Sequence, residues 1–273
     1  MTMTQPGSNQ GPKTLSWPIG NQDAWNNGVR VREAVNTLLT GGKAIVTPTK
    51  VGYIVMTTDG RGLEKKFDMK QRPRSKPGVV LCVDDTHAAD LAVMDDRIRE
   101  LYRRAFGSRT DAQDQGVLLG CILPWKNDCQ HVGNDARHYI SDARGTSCFV
   151  VRFGLPSEAI ANVMWRRHGK LCFASSANPS GKGNRGVLAG VGDRILGMAD
   201  LLIEGDEFIA SQQPGATEEQ RWAQGAMVSF VDDTGVLKYD KPRIIRNGIQ
   251  LDQVKELLTD IFGGYTETHG DYH

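Results

Sequence analysis

Apolar positions along the chain switch between helical and strand periods. Val31, Val35, Leu38 and Leu39 fall on one face of a helix, which Gly41-Gly42 ends. Residues 44–47 form a short apolar run stopped by Pro48, and residues 51–56 read as a second strand. Asp59 stands where it can cap a short helix that buries Leu63 and Phe67. The pattern predicts further strands at 79–83, 117–123, 147–153, 171–174, 201–204 and 226–231. It predicts helices at 97–105, 157–167 and 252–262, the last with Val254, Leu257, Leu258 and Ile261 on its apolar face. Strands and helices alternate loosely and several strands lie close together. An α/β fold with a mixed sheet is therefore expected.

No internal repeat or linker divides the chain. One domain is expected over residues 26–262. Residues 1–25, polar and rich in Gly, Pro and Gln, read as a mobile arm, and 263–273 as a mobile tail. The chain has 273 residues, 39% of them hydrophobic, enough for a sizeable core. Its net charge of +1 excludes a global bias toward nucleic acid or membrane, so any basic site must come from local clustering. The beginning of the chain lacks a signal-peptide-like apolar core, and the apolar run near residues 117–123 is too short to span a bilayer. Five cysteines without C-x-x-C spacing argue against a disulfide framework or zinc ribbon. They read as buried thiols of a cytoplasmic protein with no membrane partner.

Two constellations carry chemistry. Lys70, Arg72, Arg74 and Lys76 place four cations within seven residues, stiffened by Pro73 and Pro77, between a helix and a strand. Arginine grips phosphate oxygens bidentately and lysine adds a compact charge, so the loop suits a polyphosphate. Its bland alternative is a solvated charged turn. Further on, the apolar run 171–174 delivers Ser175, Ser176 and Asn178 to its carboxyl end, where ligands sit in open α/β sheets. A plain Ser/Asn/Pro/Gly turn is the alternative there. Gly181-Lys-Gly183-Asn-Arg-Gly186 matches G-x-G-x-x-G but follows a polar turn instead of a strand, so a dinucleotide site is not expected. The polar stretch 125–144 holds His131, Asp135, His138 and Asp142. No helical pattern aligns the histidines, so a solvated insertion is expected and no metal site.

Taken in order, these segments resemble the YrdC-like family of threonylcarbamoyl-AMP synthases. The resemblance rests on K-x-R-x-x-x-K-P at Lys70–Pro77 and S-x-N at Ser176 and Asn178. It also rests on the Gly41–Thr49 strand with its Pro48-Thr49, the Val151-Arg152 strand, Ser229–Asp232, and Ile244–Gly248 around Arg246. It spans about residues 28–250 in collinear order. It implies a YrdC-like twisted mixed sheet with flanking helices around a concave basic cleft. It also implies a nucleotidyltransferase that condenses L-threonine, bicarbonate and ATP into L-threonylcarbamoyl-AMP and pyrophosphate, for t6A modification of transfer-RNA adenosine.

On the same resemblance, Lys70, Arg72 and Lys76 would be the catalytic cations. Lys70, Arg72, Arg152, Ser176, Asn178, Ser229 and Arg246 would bind the nucleotide, and Thr49, Lys50, Tyr53 and Lys76 the amino acid. Mg²⁺ would accompany ATP without a dedicated carboxylate cage. The implied partners are ATP, bicarbonate and an amine, with tRNA or a downstream transferase beyond them. Lys50 stands where the family has an acid, and Ile54-Val55-Met56 replaces Gly-Leu-Gly. These departures leave open a paralogue acting on another amine or carbamoyl donor in a specialised biosynthetic pathway. A module that binds double-stranded RNA with the same cleft is the alternative outside enzymes. The low aromatic content of 7% weighs against a broad RNA platform.

Overall fold

The computed structural model of the chain describes residues 11–19, 28–107, 116–179 and 183–268. Its strands are β1 (Lys13–Ser16), β2 (Ile45–Pro48), β3 (Tyr53–Thr57), β4 (Val79–Leu81), β5 (Leu119–Pro124), β6 (Thr146–Val151), β7 (Cys172–Ser176), β8 (Leu201–Glu204), β9 (Ala226–Ser229), β10 (Arg243–Arg246) and β11 (Thr266–Glu267). They form one mixed sheet in the order β1-β8-β2-β3-β7-β4-β6-β5-β9-β10-β11. The helices are α1 (Val29–Leu39), α2 (Gly60–Lys70), α3 (Asp85–Leu91), α4 (Asp96–Phe106), α5 (Asn134–Ile140), α6 (Ser157–His168), α7 (Asp193–Met198), α8 (Asp206–Ser211) and α9 (Leu251–Phe262). None is long and apolar enough to cross a membrane.

Strand pleating sorts the core into layers. Val80, Phe149, Phe173 and Cys121 pack under Leu63 and Phe67 of α2, Leu101 and Tyr102 of α4, and Val254 and Leu258 of α9. On the opposite face, Ile45, Met56, Leu81 and Cys172 pack against Val31, Val35 and Leu38 of α1 and Ile160 and Met164 of α6. Helices cover only part of this second face. Ile54, Val79, Val150 and Met227 lie on it and stay half-buried. The uncovered strip is where the expected cleft would lie.

Three segments differ from the sequence expectation. Lys13–Ser16, within the supposed mobile arm, pairs in parallel with β8, and the Trp17 side chain is only 3% exposed. A four-residue ladder and one anchoring indole order a stretch whose composition is that of a loop. Within the supposed tail, Thr266–Glu267 pairs with β10. The rest of both terminal expectations lies outside the described residues. The polar stretch 125–144 is not a solvated insertion. Trp125, Val132, Ala136 and Ile140 are core residues, and the Trp125 indole N–H donates to Ser147 Oγ at 2.6 Å.

Candidate active site: a cationic cleft

Helix α2 starts on Asp59, whose carboxylate accepts the Gly62 N–H at 2.8 Å, and stops where Gln71 turns left-handed. Its last residue, Lys70, is 4% exposed. The ammonium of Lys70 donates to the Ser176 carbonyl and, at 3.3 Å, to Ser176 Oγ. Arg72 turns inward, and its Nε donates to the Lys76 carbonyl at 3.0 Å. Lys76 closes the loop by donating its N–H to the Pro73 carbonyl. Arg74 faces outward and lies 3.5 Å from both Glu64 and Asp68 on the exposed side of α2. The four cations of the loop therefore divide. Lys70 turns to Ser176 and Arg72 toward Arg246, Lys76 frames Arg72, and Arg74 pairs with Glu64 and Asp68 at the surface.

The cleft face brings in further groups by register. Ser176 pairs with Ile54, and Ser229 with Ile122. A bulge between Ile244 and Arg246 puts Arg246 opposite Met227, while Ile245 joins Ile122, Cys148 and Val231 beneath it. Arg246 thus overhangs the uncovered strip, with its Nε donating to the Gly225 carbonyl at 3.1 Å. Burial and then the neighbouring Arg246 push Arg72 below its ordinary range, and burial does the same to Arg246. Lys70 is pushed down to about 7, first by burial and then by Arg72. No carboxylate pairs with Lys70, Arg72 or Arg246 among the described ion pairs. Concentrated positive charge without an internal counter-charge is an anion site.

Beyond Ser176 the chain turns through Asn178, which is buried. Its Nδ2 donates to the Pro179 carbonyl at 2.8 Å, while Oδ1 has no partner among the described residues. That acceptor is buried with no protein donor among the described residues, an orphan of the kind a water or ligand satisfies. Asn184, inside the glycine-rich segment, holds this turn in place. Its amide exchanges hydrogen bonds with the Tyr53 N–H and carbonyl and donates to the Ala177 carbonyl. Nothing in the sequence singles out Asn184, because the glycines around it read as a G-x-G-x-x-G match outside a dinucleotide context.

The remaining expected residues are placed differently. Arg152 sits 3.4 Å from Glu158 and 5.1 Å from the Phe106 ring, inside the protein. Ser229 is buried at the end of β9. The Thr49 hydroxyl donates to the Gly52 carbonyl at 2.6 Å and so stabilises its own turn. The Lys50 ammonium donates to the Gly116 carbonyl at 3.0 Å and borders a cavity of about 370 Å³ with Gln213, Trp222 and Gln250. Tyr53 is 1% exposed and pleats away from Ile54. Its hydroxyl donates to Asp206 and accepts the Gly205 N–H, and burial followed by Asp206 pushes it above the usual tyrosine range. Tyr53 as an amino-acid contact is thus at odds with its placement, since strand alternation sends its ring to the opposite layer from Ser176.

Among the described residues no three His, Cys, Asp or Glu side chains cluster as a metal site. Asp142 is bound to Arg144, and His131 packs edge-on against Trp165. Cys82, Cys121, Cys148 and Cys172 are buried, and burial pushes Cys148 and Cys172 up to about 12.

No model of a known protein family and no curated protein matches the chain. Solved structures do. The hypothetical protein smu.1377c of Streptococcus mutans UA159 is 38% identical over 96% of this chain and all of its own, with a TM-score of 0.83. The chain belongs to the family of that protein. E. coli YciO is similar in fold at 17% identity, with coverage of 87% of this chain and 96% of its own and a TM-score of 0.62. P. abyssi Sua5, solved in complex with L-threonine, is also 17% identical and has a TM-score of 0.61. The match covers 95% of this chain and 63% of Sua5, so the chain spans a little under two thirds of that protein. The fold is YrdC-like, and the expected α/β class with a twisted mixed sheet holds.

Proposed function

We propose that the chain is an ATP-dependent enzyme that forms a carbamoyl-adenylate and releases pyrophosphate. The observation that carries this reading is the set of buried or half-buried cations, Lys70, Arg72 and Arg246, that no described carboxylate neutralises, gathered over an uncovered strip of sheet. A nucleotide triphosphate supplies the missing negative charge. An amine and bicarbonate give a carbamate and water. A carbamate oxygen then attacks the α-phosphorus, forming a P–O bond as the bond to pyrophosphate breaks. No side-chain nucleophile is needed. Lys70 and Arg72 stabilise charge that moves onto the departing pyrophosphate, and the Ser176 hydroxyl and Asn178 Oδ1 orient the neighbouring groups. Mg²⁺ would enter with the substrate as MgATP, and no step is routed through it.

The Sua5 structure holds L-threonine, which supports an amino acid as the amine. Lys50, beside the cavity it shares with Gln213 and Trp222, and the altered run Ile54–Met56 support a second version of the same chemistry, in which the amine is not threonine. The full chain with ATP and bicarbonate is expected to release pyrophosphate in an amine-dependent way when threonine and the other amino acids are tested in turn. Arg72→Ala is expected to abolish that release. Release that no amine stimulates, together with unchanged ATP binding in Arg72→Ala, would overturn the proposal. Salt-sensitive binding to duplex RNA without ATP turnover would favour the RNA-binding alternative. Under this reading the product is passed to tRNA modification or to another acceptor in the cytoplasm.

A further inference from the structure

Lys66 is a charged residue that the proposed reaction leaves unused. It lies one turn before Lys70 on α2, is 0% exposed, and has no hydrogen-bond partner among the described residues. Its ammonium stands 4.8 Å from the centre of the Phe67 ring. It also stands over Gly78, where a Cβ would come within 2.4 Å of Nζ. Ser175, one residue beyond the Ala174–Val79 pair, is likewise buried and unpartnered.

The charges that act on Lys66 are cationic. Its own helix contributes Lys70, and the loop contributes Arg72, both of which disfavour its charge after burial has done so. Helix α5 contributes Tyr139, which packs on Phe67 at 5.5 Å, with His138 beside Tyr139. Helix α7 packs on α2 and places Arg194 on the Asp68 carbonyl. On β3 the Thr57 hydroxyl donates to the Lys43 carbonyl, on β7 Ser175 is buried, and the start of β4 places the Gly78 backbone against the Lys66 amine. No carboxylate pairs with Lys66 in any described ion pair, and burial, then Arg72 and Lys70, hold its amine well below the ordinary lysine range.

An anion above Lys70 and Arg72 changes that balance. Its negative charges offset the repulsion that Arg72 and Lys70 exert on Lys66, across a medium of low dielectric where the Coulomb interaction is strong. We infer that Lys66 is a reserve charge of the anion site: when a polyphosphate seats on Lys70 and Arg72, Lys66 takes up a proton from solvent and becomes a further cation beneath it. The proton goes from buffer to the amine on binding and returns when pyrophosphate leaves. The inference rests on reading the cluster as a phosphate site, and its test separates the two.

The experiment is calorimetric titration of the full chain with inorganic pyrophosphate near pH 8, in two buffers of different ionisation enthalpy. Wild type is expected to bind with net proton uptake. Lys66→Met keeps the side-chain length and removes the amine. It is expected to bind about tenfold more weakly and to take up correspondingly fewer protons, while its unliganded thermal midpoint rises because a desolvated amine is gone. Nitrogen NMR of the lysine Nζ atoms in wild type reads the same event without a variant, as a change of Lys66 from amine to ammonium on adding pyrophosphate. No binding of pyrophosphate to wild type would overturn the phosphate site itself. Binding with equal proton uptake in wild type and Lys66→Met, or an unchanged Lys66 signal, would overturn the reserve-charge role and leave the site standing.

Discussion

Lys70→Met asks how much the fold gives up to hold a cation at the cleft. The ammonium is 4% exposed, and burial followed by Arg72 lowers it from 10.5 to about 7. At about 1.4 kcal/mol per unit, the charged form is disfavoured by about 5 kcal/mol as an upper bound. In the unfolded chain Lys70 regains its ordinary value. Between about pH 7 and 10 the unfolded state therefore binds more protons than the folded one, and stability rises with pH. The penalty is present in full below about pH 7 and fades as pH climbs toward the unfolded value. Between about pH 7 and 9 the gain from this one group is about 2 kcal/mol.

Lys70→Met removes the group and so the slope it causes. The assay is urea unfolding of wild type and variant, without ligand, at intervals between about pH 6 and 9. The difference between the two proteins cancels most other titrations. Lys70→Met is expected to be the more stable protein at the acid end, with the gap narrowing by about 2 kcal/mol toward pH 9. Added pyrophosphate should reverse the order, because it binds folded wild type and restores a partner to the ammonium. A gap that stays constant across the range would refute the claim that Lys70 is held as an uncompensated, desolvated amine.

Other outcomes follow from the same geometry. Gly78→Ala brings a methyl within 2.4 Å of the Lys66 Nζ, the movable end of a long side chain, and should cost about 1 kcal/mol, the low end of overpacking, in urea unfolding. Most of that loss should vanish in the Lys66→Ala background, giving a non-additive double-mutant cycle. Tyr53→Phe leaves the Gly205 N–H and one Asp206 interaction unmet and should cost about 1–3 kcal/mol. The same change should leave the KM for the amine within about twofold, since the hydroxyl faces away from the cleft. Asn184→Ala strips the Tyr53 and Ala177 backbones of their shared amide. It should lower the urea midpoint and weaken ATP binding, read by calorimetry, through a loosened Ser176–Asn178 turn.

The sequence pattern predicted the central layer well, because buried strands and amphipathic helices announce themselves through apolar spacing. Leu201–Glu204 falls where expected, and Asp59 caps the helix that buries Leu63 and Phe67. The edges were harder to read. β1 and β11 carry exposed or polar residues and are held by backbone ladders, which leave no periodic mark. β10 was not picked out as a strand, because Arg243 and Arg246 bracket just two apolar residues and a bulge breaks the alternation. Short α5 hides its core side, Ala136 and Ile140, among Asn, Asp, Arg and His.

The site divides along a similar line. Charge density in Lys70–Lys76 pointed to the loop, but it could not say which cations turn inward. Only the contacts of Arg74 with Glu64 and Asp68, and of Arg72 with the Lys76 carbonyl, separate them. Lys66 went unnoticed even though its signal was present. Leu63, Lys66, Phe67 and Lys70 follow the i, i+3, i+4, i+7 spacing of a buried helical stripe, and two of the four are lysines. A helix that spends half of its core-facing stripe on amines loses apolar burial and incurs desolvation in return. Stability alone does not favour that choice. A ligand that brings negative charge does, so a lysine in a position that spacing assigns to the core is itself a mark of an anion site.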